Sequence, residues 1–325
     1  MALSGHLRIV IPGGTGQVGH ILARHFHAQG HSVTVLARHP KPSEWKTILW
    51  NACDLGSWTE AIDGADVVIN LAGRSVNCRY NAANRRAIKH SRTITTGLIG
   101  QAIAQAAHPP PLWLNASTAT VYRHTLERPM DEATGELGGD EPGVPAKWHF
   151  SIDVATSWER ALFAADTPHT RRVAMRSAMI MSPDPGGIFD TLMRLVRFGF
   201  GGSAASGQQF VSWIHDVDFI RSVDFLISHD ELSGVVNLSS PRPVPNRHFM
   251  RCLRHAWCTQ YVGIPASKWM LEIGALLLGT ETELILKSRR VVPGRLLNAG
   301  FEFHFPNWRG AAQDLVQRWR QLQGD

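Results

Sequence analysis

The stretch RIVIPGGTGQVGHILARHF, residues 8–26, decides the fold. Its first half is a short apolar run bounded by proline and glycine, which reads as a buried strand. Its second half places Val18, Ile21, Leu22 and Phe26 at helical spacing. Between them runs the turn Gly13-Gly14-Thr15-Gly16-Gln17-Val18-Gly19. A strand that turns tightly into a helix, approaches an anion with its backbone and then packs the helix on the sheet needs glycine at each step. The free N–H groups of the new helix then face that anion, which for this spacing is the pyrophosphate of a dinucleotide.

Outward from the turn, strands and helices alternate. HSVTVLAR is a second strand, TILWNA a third and ADVVINLAG a strongly buried one. A helical pattern covers residues 84–107 and stops before HPPP, as prolines require. LWLNAS is a strand, HFSIDVATSWERALFAA a helix and RRVAMRSAMI another strand. This alternation predicts an α/β protein with a Rossmann-type, doubly wound parallel sheet. Beyond residue 181 the rhythm weakens: SPDPGG and GFGGSAASGQQ are loops, GVVNLSS a strand and NRHFMRCLRHAW a helix. We expect a nucleotide-binding domain over residues 1–240 and a smaller C-terminal α/β lobe over 241–325, the lobe also drawing on 181–215.

Composition agrees with one large or two moderate domains. The chain has 325 residues, 44% of them apolar and 18% charged, so a core forms and disorder is disfavoured. Net charge is +6, with a pI near 9.5, which favours anionic small molecules. No Lys/Arg run alternates with aromatic residues, so nucleic acid is not an expected partner. The longest membrane-like stretch, IGALLLG at 273–279, is far short of the roughly 20 residues a span needs, so no membrane partner is expected. The N-terminus carries no long apolar run of the signal-peptide kind. The four cysteines at 53, 78, 252 and 258 form no Cys-x-x-Cys, which favours a reduced, cytoplasmic setting.

The second strand ends in Arg38, His39 and Lys41, without the acid that holds a ribose 2′-OH about 20 residues past such glycines. A carboxylate repels a 2′-phosphate and a guanidinium grips it, so the expected cofactor is NADP; the alternative is that Arg38 is a solvated strand end. The histidines at 20, 25, 27 and 31 lack metal-ligand spacing and are expected on the solvent side of the first helix. His215, Asp216 and Asp218 in SWIHDVDF are expected to cap the helix that follows.

GGTGQVG, VVINLAG and NASTATVY together resemble the extended short-chain dehydrogenase/reductase superfamily, the NAD(P)-dependent epimerase/dehydratase family. SRTITT, SGQQFVSWIHDVDF, VVPGRLLNAGFEFHFP and ATSWERAL narrow the resemblance to an atypical branch labelled SulA-type nucleoside-diphosphate-sugar epimerase. The resemblance spans residues 7–310. It implies that Asp54 and Leu55 lie beside the adenine, that Leu71, Ala72 and Gly73 line the cofactor ribose, and that Arg92 reaches the cofactor from the central helix. It implies that Ser177, Ala178 and Met179 flank the nicotinamide, and that Thr118 binds a substrate oxygen. Homodimerisation through the two central helices is also common in the superfamily. This chain departs from the family pattern at Gln208, where a basic residue is usual, and at Arg74, where a glutamate is common.

Ordinary members use a Tyr-x-x-x-Lys pair, in which the lysine lowers the phenol pKa. Here Tyr80, Tyr122 and Tyr261 are followed four residues on by Asn84, Leu126 and Pro265. If Glu159 takes the place of the acid that follows the pair, the tyrosine position is Ser151 and the lysine position Ala155. Two readings follow. One is an oxidoreductase or epimerase acting on a small carbinol or keto substrate, nucleotide-linked or free, with Ser151, Tyr122, His149 or Lys147 as proton carrier. The other is a non-catalytic protein that responds to NADP(H) as a regulator or partner.

Overall fold

The computed structural model describes every residue except 1, 2, 4, 140, 142, 143, 146, 147, 258–262, 268–281 and 325. Lys147, Cys258, Tyr261 and the IGALLLG stretch therefore lie outside the described residues. The strands are β1 (Arg8–Pro12), β2 (Ser32–Ala37), β3 (Lys46–Leu49), β4 (Val67–Asn70), β5 (Leu112–Thr118), β6 (Arg171–Ser177), β7 (Met179–Met181), β8 (Phe210–Val211), β9 (Trp213–His215), β10 (Gly234–Leu238) and β11 (Val244–Pro245). Seven of them form one parallel sheet in the order β3-β2-β1-β4-β5-β6-β10. The order reverses between β1 and β4, and in such sheets ligands bind at that switch point, outside the carboxyl ends of the strands.

Each strand serves both faces of the sheet, because successive side chains point in opposite directions. Ile9, Ile11, Val67, Ile69, Leu112, Leu114, Val173 and Met175 enter one core with Leu22 and Phe26 of α1 (Gln17–Ala28). Val10, Val68, Trp113 and Ala174, the residues between them, enter the opposite core with Ile99 and Ile103 of α2 (Ala82–Gln105) and Leu162 of α3 (His149–Phe163). Burying a side chain of this kind stabilises the fold by about 1.5–3 kcal/mol. This double burial is why the strands read as continuous apolar runs rather than as an alternation. The helix ends follow local rules: Gly30 takes φ +83° just past α1, and the Asn81 side chain accepts from the Asn84 N–H at 2.8 Å to open α2.

The expected strand RRVAMRSAMI divides. Ala178 breaks it, giving its N–H to the Leu238 carbonyl at 2.9 Å, and β7 leaves the main sheet to pair with β9. A further core gathers Met181, Phe189 and Met193 of α4 (Ile188–Arg197), Trp213, Phe249 and Leu253 of α6 (Asn246–Trp257), and Trp308, Leu315 and Trp319 of the C-terminal helix Trp308–Gln323. The chain crosses between cores more than once, since Leu296 and Phe301 belong to the first.

The SWIHDVDF segment joins the two parts. His215 caps α5 (Asp216–Ser228) by accepting from the Val217 N–H at 3.2 Å, and it stacks on Phe305 with ring centres 3.8 Å apart. Asp216 takes two hydrogen bonds from Arg318 at 2.7 and 2.9 Å. Asp218 accepts the backbone N–H groups of His304 and Phe305, each at 2.8 Å. Among the described residues no helix is long and apolar enough to cross a membrane.

Candidate functional site

The glycine turn lies at the switch point, and three of its glycines are enforced by contact. Gly13 has φ +76°, and a Cβ there would come within 2.6 Å of the Ala72 backbone at the end of β4. A Cβ on Gly14 would stand 3.0 Å from both Ile11 and Val35, and one on Gly19 would overlap the Gly14 backbone. Gly16 differs: nothing lies within 4 Å of where its Cβ would be. Thr15 and Gly16 are exposed at the mouth of the turn. The turn is thus packed on the protein side and open on the side that a pyrophosphate would take, which fits a dinucleotide. Val18 is half-buried on the first turn of α1. Gln17 is engaged, its amide donating to the Asp184 carbonyl at 3.1 Å, so the SPDPGG loop closes beside the turn.

The remaining expected cofactor residues line the same edge of the sheet. Arg38 and His39 are exposed immediately after β2. Asp54 follows β3 and accepts from the Asn51 amide at 2.7 Å; Leu55 beside it is half-buried. Leu71, Ala72 and Gly73 follow β4, where the buried Asn70 side chain accepts from the Ala72 N–H at 3.0 Å and donates to Asn115 of β5 at 2.6 Å. That polar network fixes the carboxyl ends of two neighbouring strands. The Arg92 guanidinium lies against Gly73, 3.2 Å from where a Cβ would be, and 5.0 Å over the Trp158 ring. Burial lowers its pKa to about 10.

Beside this edge opens a cavity of about 450 Å³. Thr118, Ser151, Arg92, Ser177, Ala178 and Met179 all reach its wall. The Thr118 oxygen accepts from the Thr120 N–H at 3.2 Å, which leaves the hydroxyl a donor for a ligand oxygen. Ser151, Ala155 and Glu159 fall on one face of α3, four residues apart. Ser151 donates to Glu283 at 2.6 Å. Ala155 is fully buried, so no amine occupies the lysine position. Glu159 receives Arg176 at 2.7 and 2.8 Å and Ser117 at 2.6 Å.

Tyr122 does not line the cavity. Its hydroxyl accepts from Arg176 and donates to Asn237, both at 3.0 Å, and the ring is 2% exposed. Burial pushes its phenol up, against the opposing pull of Arg176. A phenol enclosed in this way ties β6 to β10 and stands outside the cavity wall that carries Thr118 and Ser151. The histidine expectation needs correction. His25 is half-buried and pairs with Asp224 at 2.9 Å, and His31 is buried, its ring accepting from the Leu7 N–H at 3.2 Å. The described residues hold no cluster able to bind a metal.

The sequence reading missed the segment that completes the cavity. Glu283, Ile285, Lys287 and Arg289 come from the C-terminal part of the chain. Arg289 donates to the Thr120 hydroxyl at 3.1 Å and Lys287 to the Thr120 carbonyl at 2.8 Å. Burial, reinforced by Arg289, lowers the Lys287 pKa to about 8. The available signal was KSRR, three cations in four residues directly after an apolar turn. The core around Trp213 and Trp308 contributes Leu192, Val211, Phe249 and Met250 to the same wall.

A seven-stranded sheet with this order, a glycine turn at its switch point and a cavity beside it define a Rossmann-type protein of the extended reductase class. Residues 9–146 match the NAD dependent epimerase/dehydratase family, and residues 266–315 match a domain of unknown function, DUF1731. The epimerase family protein SERP0438 of Staphylococcus epidermidis is 31% identical over 95% of this chain and 99% of its own length. The mouse epimerase family protein SDR39U1 is 29% identical over 95% of this chain and all of its own. The crystal structure of human SDR39U1 (isoform 2) with NADPH superposes with a TM-score of 0.83, at 27% identity, over 96% of this chain and 99% of that one. The chain belongs to the NAD-dependent epimerase/dehydratase family, in the SDR39U1-like group, and itself carries the DUF1731 match.

Proposed function

We propose that the chain binds NADP through the glycine turn and Arg38 and acts as an oxidoreductase of the epimerase/dehydratase type on a small carbinol or keto compound. The observation that carries the reading is the cavity, which brings Thr118, Ser151 and Ser177 together beside the packed yet open glycine turn. The human relative solved with NADPH supports the same cofactor. Residues 13–19 hold the pyrophosphate, with Gly16 at its closest approach. Arg38 and His39 meet the 2′-phosphate, Asp54 and Leu55 the adenine, and Leu71, Ala72 and Gly73 the ribose. Arg92, Ser177, Ala178 and Met179 surround the nicotinamide. When bound, the nicotinamide donates or accepts the hydride.

The chain's own part is to hold the reacting oxygen and to move its proton. Thr118 donates to that oxygen. Ser151 takes the place of the family phenol. A lone serine is too weak an acid for the task, but its hydrogen bond to Glu283 supplies the missing partner. As the carbinol proton passes to Ser151 Oγ, the serine proton passes to the Glu283 carboxylate; the reverse transfer protonates a carbonyl oxygen. The second reading, a protein that senses NADP(H) without turnover, is favoured by one observation: the buried Ala155 leaves the family's lysine position without an amine. Incubation with NADPH deuterated at the transferable position, against a panel of ketones and aldehydes, separates the two. Deuterium in a product, lost in Ser151→Ala and Glu283→Gln, supports the enzyme. NADPH binding with no label transfer to any carbonyl supports the sensor.

A further inference from the structure

The cavity wall carries two chemically distinct sets of side chains. Leu192, Val211, Phe249 and Met250, which belong to or pack on the core around Trp213 and Trp308, and Ile285 make it apolar. Arg92, Arg289 and Tyr80 also line it. Tyr80 lies near enough to both guanidinium groups to interact with each, and its ring meets Phe150 edge-on at 5.0 Å. Among the described residues, the charged side chains that line the cavity are these two arginines, and no carboxylate lines it. Glu283 interacts with Arg289 from behind the wall, and Lys287 adds a further cation there. Arg289 is 8% exposed, and burial lowers its pKa. Arg92, which donates to the Ile88 carbonyl at 2.9 Å and lies over the Trp158 ring, is a guanidinium in an apolar enclosure, and an anion that meets it there offsets part of its desolvation cost.

A nucleoside diphosphate sugar does not match this lining. Its pyrophosphate, ribose and sugar hydroxyls present polar groups along their whole length, and each needs a partner when it leaves water. Beyond the hydroxyls of Ser117, Thr118, Thr120, Ser151 and Ser177, the lining is mostly aliphatic and aromatic carbon, and the Asn246 side-chain oxygen already accepts from the Ala204 N–H at 2.8 Å.

We propose that the cavity takes an apolar monocarboxylate, an oxo or hydroxy acid with an aliphatic or aryl body, and not a nucleotide sugar. The carboxylate lies between Arg289, Arg92 and Tyr80, the body lies on Phe249, Met250 and Val211, and the oxo or hydroxy carbon lies at Thr118. Arg289 bonds to Thr120, two residues from Thr118, so acid group and reacting carbon are close on the same ligand. This assignment rests on the cavity being the reaction chamber of the bound cofactor.

Calorimetric titration of the NADPH-saturated protein with octanoate, 1-octanol and UDP-glucose tests it. A merely apolar cavity prefers the alcohol, because the carboxylate loses more hydration on entry. The proposal requires octanoate to bind at least tenfold more tightly than octanol, and UDP-glucose to bind more weakly than both. Arg289→Met and Arg92→Met, each checked for a native thermal transition, should erase the preference for the acid. Octanol binding as tightly as octanoate, or UDP-glucose binding more tightly, overturns the proposal, and that comparison needs no variant. A prior NADPH titration and a parallel series without cofactor keep the two ideas apart. Failure of NADPH to bind while octanoate keeps its preference removes the cofactor reading and leaves the carboxylate site. NADPH binding without that preference removes the carboxylate site alone.

Discussion

Substituting Gly16 and Gly19 separately distinguishes a turn built for a ligand from a turn built for packing. At Gly16 the backbone has φ −77° and ψ 169°, which alanine adopts without strain, and no atom lies within 4 Å of the new methyl. Loss of unfolded-chain entropy favours alanine there by about 0.4–1 kcal/mol, while alanine is a poorer N-cap by a similar amount. Gly16→Ala should therefore unfold within about 2 °C of the wild type. Its methyl would occupy the open side of the turn and displace at least one charge-assisted N–H···phosphate bond, worth about 1.5–3 kcal/mol. The NADPH Kd should rise roughly 10- to 150-fold. At Gly19 the added methyl would overlap the Gly14 backbone, so Gly19→Ala must move α1 or the turn. It should lower stability by about 1–3 kcal/mol as well as weaken the nucleotide. Thermal unfolding and quenching of tryptophan fluorescence by NADPH measure both quantities on the same samples. A Gly16→Ala protein that binds NADPH like the wild type would refute the placement of the pyrophosphate, and one that unfolds well below it would refute the open geometry.

Glu159→Gln should be among the most destabilising conservative changes, by about 3–5 kcal/mol, because it leaves Arg176 buried without its carboxylate; the urea midpoint measures this. Asp216 sets a limit at acid pH. Burial alone would raise its pKa, yet the adjoining His215 ring, the two hydrogen bonds from Arg318 and the Arg318 charge bring it from 3.8 to about 2. The folded form then holds its proton less tightly than the unfolded one, so Asp216 adds roughly 2 kcal/mol of stability above pH 4, and this is lost as pH falls toward 2. Asp216→Asn should flatten the stability–pH curve across that window while lowering stability at pH 7; an unchanged slope would mean the Arg318 pair is not formed in solution.

The sheet was legible because its physics is local. β1, β4 and β5 are buried on both faces and announce themselves as apolar runs, and the glycines at 14 and 19 are dictated by contacts within the unit formed by β1, α1 and β2. The bend at Ala178 was not legible, since the partner that draws β7 away is β9, more than 30 residues later. The enclosure of Tyr122 was not legible for the same reason: it depends on Arg176 and Asn237, 54 and 115 residues away. The long-range pair Ser151–Glu283, separated by 132 residues, leaves no periodic signature at all. His25 looked like a surface residue of α1 until α5 supplied Asp224.

The central claim is that this Rossmann site is selective for NADP, with Arg38 reading the 2′-phosphate. Its most direct test is a fluorescence titration with NADPH and NADH on the wild type and on Arg38→Asp. The account predicts that the wild type prefers NADPH by at least tenfold and that the substitution weakens NADPH alone, leaving NADH unchanged or improved. Equal binding of both nucleotides by the wild type, or a loss of both in the variant, would contradict it.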